Sequence, residues 1–268
     1  MTLNLKHPLA MVPTMGALHA GHSSLINIAA QRCTEVVVSI FVNPLQFENP
    51  DDLAKYPRQI EKDIELAKQA GATNVWTPSL EEIYPNEPEI VSAGKIGNIF
   101  EGVHRFGHFD GVLTVVNRLF NLVKPEVAIF GEKDFQQLFL IKKLVKDSNL
   151  PIEIIAAPTI RETDGLAMSS RNIRLTEAER IAAGIISKAL TSAEKESSLQ
   201  LQRDVLLSLL ASEKQFALDY AEIIDEESYE IADSSSVNTR AIVAGWINGV
   251  RLLDNMVMRS QVHKVGAR

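Results

Sequence analysis

The chain has 268 residues, of which 46% are apolar and 23% are charged, as is typical of a folded globular protein. Its length exceeds the size at which a single hydrophobic core usually stops growing, so we predict two domains, residues 1–159 and 160–268. The formal net charge of -7 argues against a nucleic-acid partner, because affinity for a phosphate backbone depends on clustered Lys and Arg. Any phosphate-binding site must therefore be formed by a few neighbouring groups and not by a broad basic surface.

The chain has one cysteine, Cys33, which cannot form an internal disulfide. The sequence around it is typical of a helix, which favours a packed or surface thiol over a nucleophile. The N-terminal residues lack the apolar core of a signal peptide, and no run approaches about 18 consecutive apolar residues. We therefore expect a cytoplasmic protein that does not associate with a membrane.

Short β-branched runs alternate with helical patterns in the first half of the chain. The predicted strands are 9–13, 35–42, 74–77, 126–130 and 151–157, and the predicted helices are 21–33, 58–70, 109–123 and 135–147. Strands that alternate with helices indicate an α/β fold, a Rossmann-like parallel sheet with helices on both faces. In such a sheet, ligands bind beyond the carboxyl ends of the strands.

The pattern changes after about residue 160. Thr176 and Glu179 form the sequence signature of a capping box, so a helix is predicted from there to about Lys195. A second helix is expected at 199–213, followed by strands at 220–225 and 240–247. We interpret this region as a smaller C-terminal α+β domain.

The loop between the first predicted strand and the first helix contains a His-x-Gly-His motif, His19 to His22. Gly16 and Gly21 permit close approach of the backbone, and the start of a helix offers N–H groups to an anion. The two histidines can face one phosphate and stabilise charge that develops on it. Surface histidines are the alternative, and a zinc site is less favoured because no third ligand lies nearby.

Two further segments carry groups suited to phosphate. Lys133 and Asp134 directly follow a predicted strand, where Lys133 could reach a phosphate and Asp134 could hold a ribose or orient the lysine; a solvated ion pair is the alternative. Residues 161–172 place hydroxyl groups beside Arg171 at the predicted domain junction, which suits a loop that closes over a polyphosphate. An ordinary polar interdomain loop is the alternative there.

Neutral amides follow other predicted strands. Asn43 and Gln46 come after the second strand, and Gln136 and Gln137 follow the Lys133 loop. Amides both donate and accept hydrogen bonds, which suits a ligand with hydroxyl groups and a carboxylate. Either glutamine could instead cap a backbone group.

Together these segments closely resemble the pantothenate synthetases, a family within the HxGH-bearing nucleotidyltransferases. The strings that carry the resemblance span most of the chain: 13–22, 41–47, 56–58, 100–102, 105–121, 130–138 and 158–172. In two places the chain departs from the family pattern. Only about ten residues precede the first strand, and the familiar Arg-Pro-Gly-His string reads Arg105-Phe106-Gly107-His108.

The resemblance implies an enzyme that uses ATP and Mg²⁺ to activate the carboxylate of pantoate as an adenylate and then joins it to β-alanine. It implies a catalytic set of His22, His19, Lys133, Ser169 and Arg171. The implied ATP-binding residues are Met15, Gly16, Ala17, Leu18, His19, Ala20, Gly21, His22, Gly131, Glu132, Lys133, Asp134, Ile160, Met168, Ser169, Ser170 and Arg171. Those implied for pantoate or β-alanine are Gln46, Gln137, Asn43, Arg105 and His108.

The resemblance also implies a cytoplasmic homodimer, with Asp63 as the acidic candidate for a metal ligand. Two other functions stay open from the residues alone. A nucleotidyltransferase that leaves AMP on its product would share the fold and the ATP loops. A catalytically silent nucleotide-binding protein would keep the fold, but His19, His22, Lys133 and Arg171 argue against it.

Overall fold

The computed structural model describes residues 6–48, 53–54 and 56–258. The chain divides into two compact units, Met1–Thr159 and Ile160–Arg268. The division falls where the sequence pattern changes from alternating strands and helices to two consecutive helices. The two units are called the first and the second unit below.

The first unit contains a five-stranded parallel sheet, as the sequence predicts. Its strands are β1 (Leu9–Thr14), β2 (Glu35–Ile40), β3 (Asn74–Trp76), β4 (Val127–Gly131) and β5 (Glu153–Ala157). Its helices are α1 (Ala20–Arg32), α2 (Ile60–Gln69), α3 (Leu80–Ile83), α4 (Glu101–His104), α5 (His108–Val123) and α6 (Phe135–Asp147). Short 3₁₀ segments lie at Pro44–Gln46, Lys95–Asn98 and Glu132–Asp134.

Both faces of this sheet are buried, which explains its nearly continuous apolar strands. Side chains alternate between the faces of a strand, so Ala10 and Val12 of β1 pack into one cluster with Ile26 and Ala29 of α1. Met11 points to the opposite face and is also fully buried. Cys33, expected within the helix, is the first residue after α1 and packs in the same cluster as Ala10.

The strand order is β3-β2-β1-β4-β5. From β1 the chain first moves to one side of the sheet and later returns to the other, so the order reverses between β1 and β4. Such a reversal leaves a crevice beyond the carboxyl ends of the two strands, where ligands bind in open α/β sheets. The loop after β1 leads to His19 and His22 at the start of α1, and the loop after β4 carries Lys133.

The second unit combines helices α7 (Glu177–Ala193) and α8 (Leu199–Ser212) with strands β6 (Ala217–Asp225), β7 (Thr239–Ile247) and β8 (Val250–Met258). The strands form an antiparallel sheet in the order β6-β7-β8. Apolar residues of both helices and all three strands share one core. A further 3₁₀ segment spans Ser170–Arg174.

Strand β8 was not predicted from the sequence. Asp254 and Asn255 interrupt its apolar pattern, yet both are buried because each has a charged partner. The guanidinium of Arg161 makes two hydrogen bonds to the carboxylate of Asp254, at 2.5 and 3.0 Å, and Arg240 donates to Asn255 Oδ1 at 2.6 Å. The polar pair therefore fits a buried strand.

Within the described ranges, every helix is too short or too polar to cross a bilayer.

Candidate active site

The loop after β1 is held in an unusual backbone conformation by a buried carboxylate. Gly16 and Ala17 both have positive φ, 86° and 51°, and that of Ala17 is strained for a residue with a side chain. Asp63 of α2 is 1% exposed, and its two carboxylate oxygens accept hydrogen bonds from the N–H groups of Ala17 and Leu18, at 2.9 and 2.8 Å. The helix thus fixes the turn that leads into the histidine motif.

The two histidines sit at the beginning of α1. His19 is the N-cap residue and His22 the third residue of the helix, and their rings lie 4.2 Å apart between centroids. His19 Nδ1 accepts from the N–H of Gly21 at 3.1 Å, and His22 Nδ1 accepts from the N–H of His19 at 3.3 Å. A backbone N–H can only donate, so in the neutral ring each Nδ1 is unprotonated and each Nε2 carries the proton.

Gly21 is required because the His19 ring lies against it. A Cβ at this position would lie 2.8 Å from Cε1 and 2.9 Å from Nδ1 of His19. The glycine between the two histidines therefore allows the His19 ring to fold back onto the start of the helix. The Ala20 side chain, by contrast, is exposed.

Both histidines can donate hydrogen bonds without carrying charge. The pKa of His22 is lowered to about 3, chiefly by burial and also by the neighbouring His19 and Lys133, while Asp134 opposes them. A neutral imidazole with its proton on Nε2 is a hydrogen-bond donor to an oxyanion. The N–H groups at the start of α1 add to the attraction for negative charge.

The loop after β4 approaches the same edge of the sheet. β1 and β4 are parallel neighbours, with Ala10 opposite Val127 and Met11 opposite Ala128. Gly131 is the last residue of β4, and Glu132 to Asp134 form a 3₁₀ turn before α6. Lys133 Nζ lies 3.3 Å from Asp134 Oδ1, with the lysine side chain only 19% exposed. The structure therefore brings His22, Lys133 and Asp134 into one neighbourhood, as the sequence predicts.

The amides after β2 form a buried cluster. Asn43 and Gln46 are 1% and 6% exposed, and Met15 joins them because its sulfur lies 2.8 Å from Gln46 Nε2. His108, at the start of α5, is also buried, and its Nδ1 lies 2.9 Å from the backbone oxygen of Gln46. Four of the residues implied for ATP or the acid substrate thus meet at the end of β2.

The two glutamines after β4 have different surroundings. Gln136 is buried, and its Nε2 donates to the carbonyl groups of Ile96 and Ile99 at 2.7 and 2.8 Å while its Oε1 accepts from Glu101 N. It therefore has the backbone-capping role that the sequence left open. Gln137 is half-buried, and Arg105 lies 3.9 Å from the Glu101 carboxylate.

The remaining residues implied for ATP lie in the second unit. Ile160 O accepts from Met168 N at 2.9 Å, and the Ser169 side chain accepts from Arg171 N at 3.3 Å and so begins the 3₁₀ segment. Ser170 and Arg171 are partly exposed. Arg180 braces this loop from α7 through hydrogen bonds to Glu162 and Asp164, at 2.5 and 2.7 Å.

Two residues with structural roles in these sites were not identified as such from the sequence. Asp63 was expected to bind metal, and its contact with the loop after β1 spans about 45 residues of chain that no local pattern reveals. Tyr84 follows α3 and places its hydroxyl 3.1 Å from Asn43 Oδ1. Its place in an irregular Pro-rich stretch gave no periodic signal.

Comparison with known proteins identifies a family for this chain. The model of the family described as Pantoate-beta-alanine ligase matches residues 2–257. The pantothenate synthetase of Acidothermus cellulolyticus is 47% identical, with 95% of this chain and 87% of the relative covered. That of Caldicellulosiruptor bescii is 43% identical, with 94% and 92% covered.

Solved structures agree with this. Pantothenate synthetase from Thermus thermophilus superimposes with a TM-score of 0.89 at 38% identity, with 94% of each chain covered. Pantoate-beta-alanine ligase from Francisella tularensis, complexed with beta-gamma ATP and beta-alanine, gives a TM-score of 0.73 at 38% identity, with 93% of this chain and 89% of that chain covered. The chain therefore belongs to the pantoate-beta-alanine ligase family.

Proposed function

We propose that this chain joins pantoate to β-alanine at the expense of ATP, through a pantoyl adenylate, and releases AMP and pyrophosphate. The observation that carries the proposal is the pair of neutral histidine donors at the start of α1, beside Lys133, in a chain that matches the ligase family over residues 2–257. The beta-gamma ATP and beta-alanine complexed with the Francisella tularensis relative support the same substrates here.

The chemistry requires activation because a carboxylate cannot lose oxide. An oxygen of the pantoate carboxylate attacks the α-phosphorus of ATP, and pyrophosphate leaves on the opposite side. The β-alanine amine then attacks the acyl carbon and AMP departs with one of the original carboxylate oxygens. The protein needs no nucleophile for either step, so its contribution is to position the reactants and stabilise charge.

His19, His22 and Lys133 are assigned to the phosphate charges that develop in the first step. The Nε2–H groups of the histidines donate to phosphate oxygens, and Lys133 supplies a positive charge with Asp134 beside it to orient its ammonium. The N–H groups around residues 15–22 and 131–134 hold the rest of the nucleotide. Ile160, Met168, Ser169, Ser170 and Arg171 of the second unit remain the predicted further contacts to ATP.

The acid substrate is assigned to the amide groups of the first unit. Gln46 and Gln137 donate to oxygens of pantoate, and Gln46 also lies beside β-alanine. Asn43, Arg105 and His108 complete the predicted pocket. Neutral amides suit this ligand because it presents two hydroxyl groups as well as a carboxylate.

Mg²⁺ belongs to the proposal as the ion that accompanies ATP phosphates. It commonly binds one or two protein carboxylates and keeps several waters. The protein side of such a site fits poorly, because both oxygens of Asp63 accept backbone hydrogen bonds and the described residues contain no cluster of three or more His, Cys, Asp or Glu side chains that could hold a metal. The proposed steps therefore use only groups of the chain and its substrates.

We also infer that the protein acts as a cytoplasmic homodimer, as the family resemblance implies. Sedimentation equilibrium checks the assembly: a mass of twice 29.6 kDa is expected, and a monomer at micromolar concentration would contradict it.

Isotope transfer tests the proposed reaction. Pantoate labelled with ¹⁸O in both carboxylate oxygens is incubated with ATP, β-alanine and the protein, and the released nucleotide is analysed by mass spectrometry. One label is expected in AMP and one in the amide of the product. Unlabelled AMP would overturn the adenylate route, label in inorganic phosphate with ADP would show an acyl phosphate, and AMP retained on a product would show a nucleotidyltransferase.

A further inference from the structure

The amide of Asn43 uses all its hydrogen-bonding capacity within the protein. Its Oδ1 accepts from Leu45 N at 3.4 Å and from the Tyr84 hydroxyl at 3.1 Å, and its Nδ2 donates to the oxygen of Gly111 at 3.0 Å and to Gln46 Oε1 at 3.2 Å. A primary amide has two acceptor positions and two N–H groups. No capacity is left for a substrate.

The orientation of this amide follows from its backbone partners. Leu45 N–H can only donate and the Gly111 carbonyl can only accept, so the oxygen of Asn43 must face the former and the nitrogen the latter. Tyr84 must then be the donor in its hydrogen bond to Asn43. Burial raises the pKa of Tyr84, which keeps the hydroxyl protonated.

The orientation of Asn43 in turn sets that of Gln46. Because Asn43 Nδ2 donates to Gln46 Oε1, the Nε2 of Gln46 must lie on the other side, where it is 2.8 Å from the sulfur of Met15. A thioether is a weak acceptor, so an oxygen of a ligand can compete for this amide. His108 fixes the backbone of Gln46 through its contact with the carbonyl oxygen.

The ring of Tyr84 and the backbone before it are each held by a neighbour. It meets the ring of Phe41 edge to face, with centroids 6.3 Å apart, and the preceding residue, Ile83, is fully buried. Arg118 of α5 donates to the Ile83 carbonyl at 2.7 Å. The hydroxyl of Tyr84 is therefore presented to Asn43 by a fixed framework.

We propose that Tyr84 is a positioning residue for the acid substrate: it acts through Asn43 on Gln46, which consequently offers N–H donors to an oxygen of pantoate. This inference rests on the proposed function, which assigns pantoate to Gln46. It also changes the expected role of Asn43, which holds Gln46 in place and does not contact the substrate.

Tyr84→Phe tests the first step, because it keeps the ring against Phe41 and removes only the hydroxyl. The dissociation constant of pantoate, measured by calorimetry, is expected to rise roughly twofold to tenfold, as for loss of one ordinary hydrogen bond. That of ATP should stay unchanged. Tyr220→Phe on β6 is the matched control, since it removes the same atom from the second unit, and it should leave pantoate affinity unaltered.

A double-mutant cycle with Gln46→Ala tests whether the effect passes through Gln46. In the Gln46→Ala background, Tyr84→Phe should change the pantoate dissociation constant less than twofold, since no oriented amide remains. The same fold increase in both backgrounds, or an equal loss for ATP, would overturn the role of Tyr84. Failure of the unaltered protein to bind pantoate would instead overturn the proposed function itself.

Discussion

His19 and His22 show how much chemistry is determined by two backbone hydrogen bonds. The sequence predicts that both face a phosphate, but it cannot say which ring nitrogen carries the proton. The contacts from Gly21 N and His19 N decide this, because they occupy Nδ1 in each ring. Each histidine is thereby left with an Nε2–H directed away from the backbone that holds it.

The lowered pKa of His22 predicts a specific dependence of stability on pH. Its ordinary value is 6.5 and its value in the fold is about 3, so between these pH values the unfolded chain binds a proton that the folded chain does not. The free energy of unfolding should therefore fall as the pH drops from about 6.5 towards 3. Urea titrations of the unaltered protein and of His22→Gln check this, and the variant should lose less stability on acidification. Parallel pH profiles would contradict the low pKa.

Gln136 and Gln137 predict opposite results from the same substitution. Gln136→Ala removes the side-chain partner of the Ile96 carbonyl and of Glu101 N–H and one of two donors to the Ile99 carbonyl, so the free energy of unfolding should fall by about 1–3 kcal/mol. Gln137→Ala should leave stability nearly unchanged and weaken pantoate binding by about 0.5–1.5 kcal/mol. Thermal unfolding and calorimetric titration of both variants separate the two roles. Loss of ATP affinity alone in Gln137→Ala would show that the pocket is misassigned.

The main strands and helices of the first unit can be predicted closely from the sequence, because each has a pattern of apolar residues within its own segment. Apolar runs predict β1 and β2, and the spacing of apolar residues predicts α5 and α6, with ends that differ by a few residues at most. The strands' order in the sheet and β8 are different. They depend on contacts between residues far apart in the chain, such as the pairing of Ala10 with Val127 in the first sheet and the ion pair of Arg161 with Asp254 of β8, 93 residues apart.

Helix α2 likewise shows what the sequence alone cannot predict about the active site. The sequence predicts the helix and offers Asp63 as a metal ligand, whereas the structure places this carboxylate against the loop after β1. Only a tertiary contact reveals that placement. The metal assignment stays a prediction, and the two roles give different kinetics.

The substitution Asp63→Asn distinguishes a role of Asp63 in holding the loop after β1 from a role in binding metal. An amide keeps one acceptor but turns an N–H towards a backbone donor, so the loop should relax and the rate of adenylate formation should fall by roughly fivefold to a hundredfold, equivalent to about 1–3 kcal/mol. The Mg²⁺ concentration for half-maximal activity should not change. Glu61→Gln, the same chemical change at an exposed position of α2, is the control. A raised Mg²⁺ requirement in Asp63→Asn would support the metal role instead.

The whole chain is acidic, with a formal net charge of -7, yet it is proposed to bind a polyanion, ATP. The helix start at α1 and the partly buried Lys133 supply the attraction locally, so affinity does not require a basic surface. The sequence predicts this combination because charge and loop motifs are both visible in it.

ATP should therefore stabilise the folded protein. A ligand at about 100 times its dissociation constant adds about 2.7 kcal/mol, which corresponds to a rise in Tm of roughly 5–10 °C for a chain of this size. Differential scanning calorimetry with increasing ATP measures the shift. Lys133→Ala should reduce it, and an undiminished shift would remove Lys133 from the nucleotide site.

Cys33 makes the opening of the first unit measurable without any engineered label. This residue, which directly follows α1, is 6% exposed, and burial raises the pKa of its thiol, so alkylating reagents should attack it only after the helix separates from the sheet. Because the chain has no other cysteine, each modified molecule records one such event. The alkylation rate, measured with and without ATP, would then report how often the first unit opens and whether the nucleotide slows that opening.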